Sequence, residues 1–299
     1  MNTSTEATRT APHSDDFQIE ALSPVMGASI RGLDVSIPLS EKIVERLKQL
    51  LLDYKVLCFR EQHLSLDAQL AFTRCWGTPL EHTMADQLAG VRNHVQIATN
   101  VGPDGKPNGK NPVATAMRWH TDRSWRPDPA LATLLYGVET PRTGGETRFC
   151  NTSKAYEALS PAMKLLIDGL RVVHSVAYSR RAAGGPEATK YELHIGQPTP
   201  HPLVRRHPET GEKAIFLGSH AWMIEGMSEE DSRTIIDELM AFTTQDAFVY
   251  QHPWRRHDLV IWDNRCTLHA ATPYDTAREV RITHRTVVQG EPTLQSEQA

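Results

Sequence analysis

Residues 119–125 read WHTDRSW and residues 262–269 read WDNRCTLH, and the fold depends on how these two stretches meet. Together they offer His120, Asp122 and His269, two imidazoles and one carboxylate, a donor set that suits Fe(II) and leaves coordination positions open. A structural zinc site would be closed by four protein ligands, usually with cysteines among them. In an extended strand, residues two apart point to the same side, so His120 and Asp122 are expected to face one ion together. His269 comes from a distant part of the chain, so both stretches must lie in one core.

The surrounding sequence predicts mostly short strands. The runs LATLLYGVE (131–139), RVVHSVAYS (171–179), AIFLGS (214–219), AFVYQH (247–252), LVIWD (259–263) and VRITHRTVV (280–288) are separated by Gly, Pro and Asp turns. That pattern predicts a mainly β fold with flanking helices, a double-stranded β-helix or jelly roll. Helices are expected over 41–54, capped by Ser40, then from Ser65, over 153–170, and over 228–244, capped by Ser228. The segment 100–112, NVGPDGKPNGKNP, has almost no apolar residue and reads as a loop and candidate lid. The Gly- and Pro-rich stretch 179–202 reads as a long mobile loop over the site.

With 299 residues and 39% hydrophobic content, the chain can bury a substantial core. One domain over 16–292 is expected, with a flexible N-terminal tail at 1–15 and a C-terminal tail at 293–299. A net charge of −4 gives no basic footprint for nucleic acid. Cys58, Cys75, Cys150 and Cys266 stand alone, without CxxC pairs, and read as reduced thiols. The N-terminus has no apolar signal core, and no run reaches the ~18 apolar residues of a membrane span. A soluble, cytoplasmic protein is expected, with its oligomeric state left open.

An HxD alone is weak in a chain with 14 histidines. Here WHTD is followed by GGETRF, WDNRCTLH and RITHR in that order, and the set resembles the taurine dioxygenase and 2,4-dichlorophenoxyacetate dioxygenase family of Fe(II)/2-oxoglutarate oxygenases. The resemblance runs from about residue 17 to 290. It implies His120, Asp122 and His269 as iron ligands, with 2-oxoglutarate as cosubstrate and O2 as oxidant. It implies that Thr147 of GGET and one arginine of the pair Arg281 and Arg285 hold the distal carboxylate of 2-oxoglutarate. A guanidinium binds a carboxylate through two parallel hydrogen bonds, and a hydroxyl adds a third donor.

Arg281 is assigned to 2-oxoglutarate and Arg285 to a substrate anion. Four residues apart on one strand, both can reach one pocket. One more residue separates His269 from this pair than in close relatives, and a small bulge would absorb it; the two roles would then be open to exchange. An acid such as Glu279 or Asp263 is the alternative partner for Arg285. Further substrate-side candidates are His82, placed like the sulfonate-touching histidine of taurine dioxygenase, and Arg123, beside the carboxylate ligand. Ser219, His220 and Trp222 resemble a substrate-side stretch of the phenoxyacetate enzyme, and Trp125 and Trp222 would suit a flat apolar tail. Asn264 and Arg265 read as turn residues with local backbone hydrogen bonds to make rather than catalytic groups.

The expected function is hydroxylation of a small organic anion with release of succinate and CO2. An aryloxyalkanoate-like carboxylate is favoured, with a sulfonate or alkyl sulfate as the alternative. A zinc hydrolase would leave Thr147, Arg281 and Arg285 unexplained, and the intact triad argues against a non-catalytic jelly-roll binding protein.

Overall fold

A computed structural model of the chain describes residues 17–81, 93–111, 114–185 and 187–295. Its main sheet has seven strands, in spatial order Gln18–Ala21, Ala28–Arg31, Val56–Phe59, Leu259–Asp263, Ala132–Glu139, Ile282–Val288 and Gln96–Thr99. All neighbours are antiparallel except Ala28–Arg31 and Val56–Phe59. A smaller sheet, ordered Val249–His252, Thr147–Asn151 and Thr267–Ala271, packs against it. Backbone bridges extend that sheet, with His120 and His269 exchanging hydrogen bonds of 3.0 and 2.8 Å and Ser219 N donating to the Trp119 carbonyl. Gly218 allows this close approach, because a Cβ there would lie 3.0 Å from His120 Cα at a φ of +130°. The result is a jelly roll.

Strand alternation explains how one sequence serves two interfaces. Val56, Cys58, Val260 and Trp262 point between the sheets, where they meet Phe149 and Tyr250. Leu57, Phe59, Leu259 and Ile261 point the other way and pack under the helices Glu41–Tyr54 and Leu66–Arg74. Both helices start where expected, Ser40 and Ser65 each accepting a backbone N–H of the first turn. The helix Glu229–Thr243 opens at Ser228 and buries Ile236 and Leu239 in a third cluster with Leu203 and Leu217.

Several expected boundaries move. The predicted helix over 153–170 is two helices, Thr152–Ala158 and Pro161–Ile167, because Ser160 caps a new helix with Pro161 in its first turn. The run 171–179 is a strand only over Arg171–His174, after which Ser175 caps the helix Val176–Ala182. Of the run 214–219, only Ala214 and Ile215 belong to a regular strand, Lys213–Ile215. The stretch 179–202, expected as a loop, contains the helix Lys190–Ile195 and the strand Thr199–Pro202. Leu294 and Gln295, at the start of the segment read as a tail, pair with Arg206 and Arg205. The N-terminal tail 1–15 lies outside the described residues. Among the described residues, no helix is long and apolar enough to cross a membrane.

Candidate active site

The three predicted donors meet between the sheets. His120 Nε2 lies 3.8 Å from Asp122 Oδ1, and His269 Nε2 lies 3.7 Å from Asp122 Oδ2. One ligand atom from each residue falls within 4.8 Å of the others. His120 Nδ1 is 2.7 Å from the Arg118 carbonyl, so that nitrogen carries the proton and Nε2 presents its lone pair. The route to this geometry differs from the strand alternation expected. His120 pairs with His269, but the chain then leaves the ladder and turns through 122–125, with Arg123 at a left-handed φ of +54°. Pro127 and Pro129, which lack an N–H, follow and cannot continue a ladder. Asp122 therefore reaches the imidazoles from a turn.

Burial holds His120 and His269 below the ordinary histidine range, so both imidazoles are neutral near pH 7 with free lone pairs. Burial pushes the Asp122 carboxyl up, but the charge and hydrogen bond of Arg285 outweigh it and hold the group well below the usual carboxylate range. Two neutral imidazoles and one carboxylate fit a divalent first-row ion. Two other buried clusters do not compete for this role. His252 bonds Asp258, which also pairs with Arg60, and His207 bonds Asp263, which also pairs with Arg265.

The triad opens on a cavity of about 880 Å³, counting solvent at its mouth. Arg281, Thr283 and Arg285 line it from one strand and its approach, with Thr147 and Ala271 from the smaller sheet. Gly144 and Gly145 make the turn before Thr147. Gly144 adopts φ +75°, and a Cβ there would meet the Pro273 carbonyl at 2.4 Å. Thr147 Oγ1 accepts the Trp254 indole N–H at 3.0 Å, which leaves its own proton to donate. Asn100 bonds the Arg281 N–H and the carbonyls of Thr276 and Glu279, fixing the loop that delivers Arg281.

The two arginines differ in their partners. Arg285 Nη2 lies 2.5 Å from Asp122 Oδ1, and Nη1 donates to Gln96 Oε1 at 3.0 Å. Arg281 is 5% exposed, and its guanidinium has no carboxylate or hydrogen-bond partner among the described residues. Burial lowers its pKa from the ordinary arginine value. The acids expected as alternative partners are used elsewhere, Glu279 by Arg142 and Asp263 by Arg265. A bulge does interrupt pairing at Ile282 and Thr283, but the extra residue is Val138 on the neighbouring strand. It does not absorb the additional residue ahead of Arg281.

Of the substrate-side candidates, His220 sits near the triad, with Nδ1 3.3 Å from Ser124 Oγ and a pKa pushed down to about 3 by burial and His120. Arg123, Trp125, Ser219, His220 and Trp222 do not line the cavity. Trp222 instead stacks on Tyr178, and Trp125 is buried. The apolar lining comes from Leu135, Trp262 and the alanines 98, 116 and 271. His82 lies outside the described residues. Sequence reading missed Gln96, Thr133 and Trp254, which lie in ordinary strand or turn sequence and acquire their roles only through register.

The profile of the "Taurine catabolism dioxygenase TauD, TfdA family" matches residues 18–287. The chain belongs to this family. Its members are 2-oxoglutarate-dependent dioxygenases that use Fe(II) and O2. The chain is 34% identical to an alpha-ketoglutarate-dependent 2,4-dichlorophenoxyacetate dioxygenase of Cupriavidus pinatubonensis, covering 87% of this chain and 94% of that one. It is 33% identical to an (S)-phenoxypropionate/alpha-ketoglutarate-dioxygenase of Sphingobium herbicidovorans, covering 94% and 97%. The crystal structure of AAD-2 in complex with Mn(II) and N-oxalylglycine superposes with a TM-score of 0.81 at 32% identity, covering 93% of this chain and all of that one. Membership in a dioxygenase family removes the zinc-hydrolase and non-catalytic readings.

Proposed function

We propose that this dioxygenase hydroxylates a small organic anion, an aryloxyalkanoate-like carboxylate, with His120, Asp122 and His269 holding Fe(II). The observation that carries the reading is the pair of guanidinium groups on one cavity beside the triad. Arg281, buried without a counter-ion, and Thr147, with a free hydroxyl proton, suit the distal carboxylate of 2-oxoglutarate. Arg285, beside Asp122, suits the substrate anion. The bound iron and keto acid would supply O2 activation, the overall change being substrate, 2-oxoglutarate and O2 to hydroxylated substrate, succinate and CO2.

The chain's own part is binding and orientation. Arg281 and Thr147 fix one end of the cosubstrate, while Arg285 and Gln96 fix the charged end of the substrate. Leu135 and Trp262 give the remainder an apolar surface and keep water from it. The similarity to two phenoxyalkanoate dioxygenases over most of the chain favours a carboxylate with an aryloxy tail. A sulfonate or alkyl sulfate is the second reading, because a guanidinium such as Arg285 accommodates either anion. Residence in the cytoplasm is part of the proposal.

The test is substrate-dependent succinate release across matched aryloxyalkanoates, alkyl sulfates and sulfonates, with Fe(II) and 2-oxoglutarate supplied. Aryloxyalkanoates should give the highest kcat/KM. Turnover confined to the sulfur anions would replace the first reading by the second, and equal turnover of uncharged esters would refute both.

A further inference from the structure

Asp122 is delivered by a turn, so the backbone alone leaves its carboxylate free to rotate. What restrains it is a chain of buried groups. The Trp262 indole N–H donates to Asn264 Oδ1 at 3.1 Å, Asn264 Nδ2 donates to Thr133 Oγ1 at 3.0 Å, and Thr133 donates to Asp122 Oδ2 at 2.5 Å. Each step allows only one polarity. The indole nitrogen can only donate, so it fixes which end of the Asn264 amide faces it. The amide nitrogen then donates to the Thr133 oxygen, and the single hydroxyl proton is left to Asp122. Asn264 Oδ1 also takes the Asp122 backbone N–H at 3.4 Å.

The chain of donors is built into the fold. Thr133 and Trp262 are paired across adjacent strands, and Trp262, Asn264 and Thr133 are all buried. The Trp262 ring also packs against His269, with centroids 4.7 Å apart. The same tryptophan thus touches one donor residue of the triad and orients another.

We infer that Thr133 and Asn264 are positioning residues, which fix the rotation of the Asp122 carboxylate and so pre-set its oxygens for the metal. With Arg285 on Oδ1 and Thr133 on Oδ2, each oxygen has a fixed protein donor and keeps lone pairs for an ion. This rests on the triad being the metal site. Removing such a partner of a metal ligand typically weakens metal binding by about 10- to 100-fold.

The experiment titrates Mn(II) into the full-length protein without 2-oxoglutarate, following free Mn(II) by electron paramagnetic resonance, and records the Tm of the metal-free protein. Thr133→Val keeps the shape and removes the donor, and it should raise the Mn(II) Kd by about 10-fold or more. Thr133→Ser restores the hydroxyl and should restore affinity. A Thr133→Val protein that binds Mn(II) within about twofold of the parent, far less than a lost outer partner costs, would overturn the inference. If Thr133→Val does not fold, Asn264→Ala decides. It keeps the hydroxyl but releases its direction, so weakened Mn(II) binding at near-native metal-free Tm supports the inference, and unchanged affinity overturns it. His269→Ala in the same titration tests the triad itself, and parental affinity there would overturn both readings.

Discussion

Arg281→Met separates the two arginines by the sign of two effects. Arg281 is 5% exposed with no anion beside it, and Thr147, 4% exposed, lies on the same cavity. A guanidinium buried without a counter-ion costs several kcal/mol, so methionine of similar size should leave the ligand-free protein as stable or make it more so. Binding of 2-oxoglutarate should move the other way. Losing a charge-assisted contact while the partner carboxylate stays buried costs about 2–5 kcal/mol. A middle value of about 3 kcal/mol corresponds to a Kd more than 100-fold weaker. Arg285→Met should do the reverse, because it strands the buried Asp122 carboxylate that Arg285 now meets at 2.5 Å. Removing one partner of a buried pair costs about 3–5 kcal/mol, and at 24% exposure of the Arg285 side chain about 1–3 kcal/mol remains. Calorimetric titration of 2-oxoglutarate into the Mn(II) protein under anaerobic conditions, with urea unfolding of the metal-free variants, measures both effects. An Arg281→Met protein that binds 2-oxoglutarate like the parent and unfolds more readily would refute the assignment. If Arg285→Met instead weakens 2-oxoglutarate, the two roles are exchanged.

His120→Ala, Asp122→Ala and His269→Ala should each abolish succinate formation while leaving the circular dichroism spectrum of the metal-free protein native, since two ligands do not hold an open facial site; full turnover in any one would remove that residue from the metal. Uncharged esters or amides of the best substrate should bind at least ~10-fold worse than the acid, the least expected from losing a contact of about 1.4 kcal/mol with Arg285. Acid should destabilise the fold before carboxylates protonate. His174 is held well below the ordinary histidine range by burial and His201, and His201 is pushed down to about 4 by burial and Arg205. Both take a proton in the unfolded chain near pH 6.5 but stay neutral when folded, so their stability contribution is present above that pH and is lost as pH falls. These two protons contribute at most about 2.7 kcal/mol per pH unit to the slope, a limit approached between roughly pH 6 and pH 5. Urea unfolding at pH 7, 6 and 5.5 checks this, and a flat stability over that range would refute it.

The legible parts of this chain are those whose chemistry is local. Ser40, Ser65 and Ser228 announce their helices because a capping hydroxyl bonds only two or three residues ahead. The strand LVIWD is legible because a continuous apolar run between turns has few alternatives. The triad is legible as residues, and the structure brings them together, but Asp122 arrives from a turn. The period-2 argument for His120 and Asp122 therefore named two residues that do lie together, but strand alternation is not what brings them there. Trp125 and Trp222 show the opposite failure, where residue type suggested a cavity wall and packing used them elsewhere.

Thr133 is the instructive omission. In ATLLYGVE it is one β-branched residue in an apolar strand, and nothing within several residues marks it. Its role is created by register. The main sheet sets Thr133 opposite Trp262, and the turn after Trp262 carries Asn264 back toward it. A shift of one residue in that pairing would turn the hydroxyl to the helix side of the sheet and leave Asp122 Oδ2 without its donor. Asn264, read from sequence as a turn residue with local backbone bonds to make, instead takes the nearby Trp262 indole N–H and donates to the distant Thr133, and these two bonds are what aim the Thr133 proton. Local hydrogen bonding and site geometry are therefore one arrangement here, and a residue dismissed as structural in WDNR is connected through two hydrogen bonds to a carboxylate of the triad.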